Sequence, residues 1–295
     1  MNAITLQGHH TSSPELEKWL ASHIALGFQP ESLVQTMLKS GYNEMFARGI
    51  VAAAFQHAAS GNHPPAVQRA VETHADSSEA VQLSDNNVFT HEGHDISVLF
   101  SLKAPRVVLL KNLLAPRECD ALIALSRDRL RRSPVVDPAS GSESLVDART
   151  SMGAMFQLGE HALLQRIEAR IAALTGVPAD HGEGLQILHY QPGGEYKPHF
   201  DFFSATQAGE ALQLRTGGQR IATLVIYLNN PVAGGGTGFP RIGLEIAPVK
   251  GNAVLFSYLL PDGTLDERTL HAGLPVIEGE KWIATKWLRE RPYCP

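Results

Sequence analysis

Residues 185–203 read LQILHYQPGGEYKPHFDFF, two apolar-rich stretches set around Pro192-Gly193-Gly194. The first, Leu185–Tyr190, reads as a strand, and the second, Tyr196–Phe203, as its successor after a turn. Side chains two apart on a strand share a face. His199 and Asp201 are therefore predicted to point one way and Phe200 the other. Further strands are predicted at Ile221–Leu228, Gly243–Ala247, Ala253–Tyr258, Arg268–Gly273 and Lys281–Trp287. Short strands separated by Gly and Pro turns point to a sandwich or barrel.

Upstream the pattern mixes helix and strand, which makes the class α+β. Arg106–Leu110 reads as a buried strand, Pro116–Leu130 and His161–Leu174 as helices, and residues 131–148 as loop. Residues 14–58 read as three short helices: Ser13 as cap with Pro14 at the first position, Pro30 opening the second, and Asn43 capping the third. Helices of that length need one another's apolar faces. Residues 60–90 are polar and broken by Gly61, Pro64 and Pro65, as a linker would be. The predicted organisation is a helical module over 1–60, a linker over 61–95 and a main domain over 96–295.

The chain is 43% hydrophobic and 19% charged over 295 residues, which suits a packed core. Its net charge of -5 gives no electrostatic case for nucleic acid or an anionic membrane. Cys119 and Cys294 form no C-x-x-C pair and read as free thiols. The N-terminus has no signal-peptide pattern and no run is apolar enough to span a membrane, so a cytoplasmic protein is expected.

A lone H-x-D pair is weak evidence in a chain with 13 histidines. Here it has company. One imidazole and one carboxylate side by side are two-thirds of the facial triad that holds non-haem Fe(II). His271, in the strand-like Thr269–Gly273, supplies a third ligand. Lys281 follows ten residues later, and Gly279 between them suits a turn, so the His271 and Lys281 strands are predicted to pair. Period two then puts Lys281, Ile283, Thr285 and Trp287 on one face. A lysine facing a barrel interior is costly without an anion, and the far carboxylate of 2-oxoglutarate is such an anion.

The stretches HYQPGGEYKPHFDFF, GGQRIATLVIYLNN, GGGTGFP, GNAVLFSY and LHAGLPVIEGEKWIATKWL, in this order, resemble the catalytic core of the prolyl 4-hydroxylase family of 2-oxoglutarate/Fe(II)-dependent dioxygenases. Asp147–Gly153 resembles the R-T-S stretch found upstream in that family. The resemblance covers roughly residues 100–290 and implies a double-stranded β-helix (jelly roll, cupin-like) core with supporting helices. It implies Fe(II) on His199, Asp201 and His271, with 2-oxoglutarate and O₂ as cosubstrates and L-ascorbate as reductant. It further implies cosubstrate contacts from Lys281, Tyr190 and Thr223, and substrate contacts from Arg149 and Trp287. The implied reaction hydroxylates a C–H bond of a protein or peptide, foremost a peptidyl proline, releasing succinate and CO₂. The presence of Asp201 favours hydroxylation over halogenation. A hydroxylase of a free amino acid or other small molecule, and a non-catalytic cupin-like binding module, are the alternatives. Two departures bear on substrate: Gly236 stands where the family often has an acidic residue, and the loop from Phe203 to Gly217 is this chain's own.

Gly234-Gly235-Gly236 is no phosphate loop, because Phe239 and Pro240 follow and no helix N-terminus awaits an anion. His9, His10, His91 and His94 read as solvent-facing.

Overall fold

A computed structural model describes residues 14–25, 28–59, 81, 83, 86–137, 140–144, 146–260 and 262–294. The chain divides into two compact units, Met1–His74 and Ala75–Pro295.

The first unit holds α1 (Pro14–Ala25), α2 (Pro30–Lys39) and α3 (Glu44–Ala59). Leu16 and Leu20, Leu33 and Met37, and Ala47 and Val51 are each one helical turn apart and share one buried cluster. Asn43 Oδ1 accepts the Phe46 amide at 3.2 Å, as a cap should. Ser13, His9, His10 and residues 60–80 lie outside the described residues.

The second unit opens with β1 (Val88–His91), β2 (His94–Leu102) and β3 (Arg106–Lys111), then α4 (Pro116–Ser126). Short β4 (Arg131–Arg132), β5 (Val135–Val136) and β6 (Glu143–Ser144) precede β7 (Met152–Phe156) and α5 (Ala162–Thr175). There follow β8 (Leu185–Tyr190), β9 (Tyr196–His199), α6 (Ala208–Gln213) and β10 (Arg220–Tyr227). The remaining strands are β11 (Ala233–Gly234), β12 (Thr237–Phe239), β13 (Leu244–Ile246), β14 (Ala253–Ser257), β15 (His271–Gly273), β16 (Val276–Glu278) and β17 (Lys281–Arg289).

Nine of these strands form one antiparallel sheet in the order β1-β2-β3-β14-β10-β17-β8-β7-β4, and four form a second, β13-β12-β15-β9. The strands in the middle of the large sheet are buried on both faces. On β10, Ala222, Leu224 and Ile226 join one core, and Val225 and Tyr227 the other. On β17, Trp282, Ala284 and Leu288 face the first core and Ile283 the second. The first core is closed by Leu122 of α4 and by Leu164, Ile167 and Ile171 of α5. The second is shared with Phe239 and Ile246 of the small sheet. Each Val, Leu, Ile or Phe side chain among these contributes about 1.5–3 kcal/mol on burial. Arg170 of α5 makes a two-pronged bond to Glu118 of α4, at 2.7 and 2.9 Å, which fixes the helices to each other.

Several expectations need correction. β1 and the start of β2 lie inside the stretch read as linker, yet they form one edge of the large sheet. Residues 131–148 are not all loop; they contain β4, β5 and β6. The helix from Pro116 ends at Ser126, whose hydroxyl bonds back to the Leu122 and Ile123 carbonyls. His91 and His94 are half-buried partners across the β1–β2 pairing, and His94 bonds the Asn112 carbonyl at 2.6 Å. The His271 and Lys281 strands do not pair. Gly279, at φ 82°, does turn the chain, but it joins β16 to β17, while β15 sits in the small sheet between β12 and β9. His271 therefore lies in register with His199.

Candidate metal centre

β9 stops at His199, and Asp201 follows in a bend beyond the strand end. His271 begins β15, directly across from His199. The ligand atoms of His199, Asp201 and His271 all lie within 4.8 Å of one another. His199 Nε2 is 3.6 Å from Asp201 Oδ1, and His271 Nε2 is 3.4 Å from Asp201 Oδ2.

Both imidazoles are oriented by their own backbone. His199 Nδ1 is 2.8 Å from the Lys197 carbonyl and His271 Nδ1 is 3.0 Å from the Thr269 carbonyl, each two residues back. A carbonyl only accepts, so each Nδ1 carries the proton and each Nε2 keeps its lone pair for an ion. Burial, and then the neighbouring His271, push the His199 imidazolium down to about 3. Burial works to raise the Asp201 carboxyl, but His271, His199 and Arg220 outweigh it and hold it at about 2. Two imidazoles and one carboxylate gathered this closely are the donor set of a divalent transition metal.

The same cavity is lined by Tyr190, Val225, Lys281, Ile283, Thr285 and Trp287. The alternation read from β17 thus holds: all four odd-numbered residues from 281 to 287 face the cavity. Lys281 is 2% exposed. Its Nζ reaches the Gly236 carbonyl at 3.4 Å and lies 5.3 Å from the Tyr190 ring centre. No carboxylate among the described residues pairs with it, and burial pulls its ammonium down to about 8. A buried cation facing a cavity without a counter-ion fits an anionic ligand. Tyr190 is 2% exposed and its hydroxyl is pushed up by burial, so it is a donor and not a phenolate.

Arg149 and Trp287 also line the cavity. Arg149 is held by the Pro134 carbonyl at 2.9 Å and Gln186 Oε1 at 2.7 Å, with its guanidinium 4.9 Å over the Tyr196 ring. Tyr196 in turn stacks on His199 with ring centres 3.5 Å apart.

Thr223 stands elsewhere than expected. It is absent from the cavity wall and fully buried behind the carboxylate, where its hydroxyl donates to Asp201 Oδ2 at 2.6 Å. Tyr258 bonds the same hydroxyl from the far side. Thr223 therefore orients the Asp201 carboxylate. Tyr258 and Arg220 were missed. Arg220 Nη1 donates to the Asp201 carbonyl at 3.1 Å. An inward tyrosine at the end of an apolar strand was a usable signal for Tyr258; nothing local in the sequence marks Arg220.

A family model described as the 2OG-Fe(II) oxygenase superfamily matches residues 185–289. Probable prolyl 4-hydroxylase 3 of Arabidopsis thaliana is 39% identical over 208 residues, which span 64% of this chain and 71% of that protein. Prolyl 4-hydroxylase 1 of the same plant is 41% identical over 203 residues, spanning 64% and 70%. Among solved structures, the viral collagen prolyl hydroxylase of Paramecium Bursaria Chlorella virus-1, in its 2OG complex, aligns with a TM-score of 0.49 at 30% identity over 62% of this chain and 95% of that chain. With this similarity across most of the relatives' length, the chain belongs to the prolyl 4-hydroxylase family of 2-oxoglutarate/Fe(II)-dependent dioxygenases.

Proposed function

We propose that this dioxygenase hydroxylates a peptidyl proline, with Fe(II) held by His199, Asp201 and His271 and 2-oxoglutarate anchored on Lys281. One observation carries the reading: a compact His-Asp-His set shares its cavity with a buried lysine that has no counter-ion among the described residues. The two antiparallel sheets that share one core are, in this reading, the two walls of a double-stranded β-helix.

Bound Fe(II), with 2-oxoglutarate and O₂, supplies the oxidising power that inserts oxygen into a C–H bond and leaves succinate and CO₂. The chain's own residues set the conditions. The Lys197 and Thr269 carbonyls hold the two rings by Nδ1 and leave Nε2 of each to face the iron, and Thr223 aims the Asp201 carboxylate. Lys281 pairs with the far carboxylate of the cosubstrate, and Tyr190 adds a hydrogen bond to it. Such a charge-assisted contact in a closed cavity is worth roughly 1.5–3 kcal/mol. Val225, Ile283 and Trp287 keep water from the reacting atoms. Arg149 and Trp287 are placed to meet the peptide, and the loop from Phe203 to Gly217 to select it. L-Ascorbate is the proposed reductant that restores Fe(II) after an unproductive turnover. The helices of residues 1–60 are proposed to recruit the substrate protein.

The test is mass spectrometry of proline-containing peptides incubated with the protein, Fe(II) and 2-oxoglutarate. The reading requires a gain of one oxygen on proline that disappears when 2-oxoglutarate is omitted. Oxygen gained on another residue, or succinate released with no peptide modified, removes the prolyl assignment.

A further inference from the structure

Glu183, 5% exposed, lies just before β8 and meets two guanidinium groups. Arg220 grips it with Nε at 2.6 Å and Nη2 at 2.9 Å, and Arg289 adds Nε at 2.7 Å. Each arginine has a second task. Arg220 donates to the carbonyl of Asp201 and packs its guanidinium over two rings, Trp287 at 4.0 Å and Phe203 at 4.7 Å. Arg289 donates to the Gly218 carbonyl at 2.6 Å and the Gln213 carbonyl at 3.2 Å, which are the end of the 204–218 loop and the last residue of α6 within it. Gly218, at φ 75°, lets that carbonyl turn toward Arg289. At the other end of the loop, the Gln219 side chain bonds both the amide and the carbonyl of Phe203, at 2.9 and 2.7 Å.

One buried carboxylate thus anchors two arms. One arm holds Asp201 and an aromatic wall of the cavity; the other holds the 204–218 loop. A carboxylate that only stabilised the fold would need neither the Asp201 carbonyl nor the Trp287 face on the far side of its partner. The forked geometry also resists slippage, because a planar guanidinium bound at two points cannot rotate without losing one bond.

We propose that Arg220, gripped by Glu183, is a positioning residue that couples the 204–218 loop to Asp201 and Trp287, so that cosubstrate oxidation stays matched to peptide hydroxylation. The proposal rests on the prolyl reading above only for its hydroxylation readout. When the fork is broken, Asp201 and Trp287 lose their common support, and oxidation of 2-oxoglutarate runs on without its product appearing in the peptide. Loosening the Arg289 arm alone frees the loop and leaves the metal ligand seated.

The experiment compares full-length wild type with Arg220→Lys and Arg289→Lys, which keep the charge on Glu183's partners and so protect folding. Three measurements are made: the visible spectrum of the Co(II)-loaded protein, the rate of tryptic cleavage after exposed Arg215 in the loop, and the ratio of succinate to hydroxylated peptide. Arg220→Lys is expected to alter the Co(II) spectrum and raise the ratio by roughly tenfold or more, the size of a lost charge-assisted bond. Arg289→Lys is expected to speed cleavage after Arg215 severalfold with the Co(II) spectrum unchanged. A wild-type spectrum and wild-type ratio in Arg220→Lys overturn the proposal. So do variants whose three readouts change together in proportion to a fallen melting temperature, which is the mark of a purely structural network. If wild type modifies no prolyl peptide, the prolyl reading fails by itself, and the Co(II) spectra and cleavage rates still decide the coupling.

Discussion

β17 carries two lysines buried to nearly the same degree, on opposite faces, with opposite fates. Lys286, 1% exposed, faces the helical side, where Glu168 Oε1 lies at 3.4 Å and the Glu183 carbonyl accepts from its Nζ. Lys281, 2% exposed, faces the cavity, with a long contact to the Gly236 carbonyl, the Tyr190 ring nearby and no carboxylate partner among the described residues. Burial pulls both ammonium groups down; Glu168 offsets part of that for Lys286, and no carboxylate among the described residues does so for Lys281. Burial alone therefore does not distinguish the two lysines. What separates them is the counter-ion, which Lys281 lacks among the described residues, and a buried charge left so is the kind found at functional sites.

The contrast fails altogether if the cavity is not a metal site. Replacing His199, Asp201 or His271 by Ala should abolish stoichiometric metal and succinate release. The loss should exceed the roughly 10–100-fold that removing an outer hydrogen-bond partner costs. Metal analysis and a succinate assay decide it; near-normal turnover in any two variants would sink the assignment.

Matched substitutions of the two lysines sharpen the contrast next. Lys281→Met should raise KM for 2-oxoglutarate about 10–100-fold and leave the melting temperature unchanged or higher, since an uncompensated charge is removed. Lys286→Met should do the reverse. It strands Glu168 in the core at a cost on the order of 3 kcal/mol, several degrees of Tm, with KM untouched. The comparison is wrong if the two variants behave alike.

A pH series separates them further. An empty site with Lys281 near 8 is a good carboxylate binder only below that value. KM for 2-oxoglutarate should rise about tenfold per pH unit above 8 and stay flat in Lys281→Met. The sign for folding is the opposite. Between pH 8 and the ordinary lysine value the unfolded chain holds more protons at this position, so the ligand-free fold gains stability as pH rises. A KM that is level from pH 7 to 10 would place the cosubstrate carboxylate elsewhere.

The smallest effect is expected from removing the first unit. A chain beginning at residue 75 should fold and release succinate at close to the full-length rate, while hydroxylation of a protein substrate weakens. Insolubility or a much lower melt would instead make α1–α3 part of the catalytic fold.

The parts legible in the sequence are those where a period decides the outcome. Strand alternation marks the cavity face of β17, whereas Asp201 joins His199 through a bend beyond the end of β9. Helical spacing marks α1, α2 and α3. What escaped depends on which strands become neighbours. The turn at Gly279 is real, but local sequence does not say whether the strand before it is β15 or β16, and so it misassigned His271 to the sheet of Lys281. Thr223 was given to the cosubstrate by the family resemblance; the depth at which it meets Asp201 is a property of packing. Glu183, Arg220 and Arg289 come from three separate segments, and no spacing connects them.

The small sheet that carries the ligands has strands of only three or four residues. So few backbone bonds form a weak cooperative unit, and the register between His199 and His271 is its outer seam, with β9 at the sheet edge. An ion bound there acts as a cross-link between distant parts of the sequence, and its binding energy adds to the stability of that sheet by mass action. Amides of β9, β12 and β15 should therefore exchange with solvent deuterium markedly faster after chelation, while those of β10 and β17 stay protected. The apoprotein is then a molecule with one firm wall and one loose one, and the concentration of free iron sets how much of the time the second wall is closed.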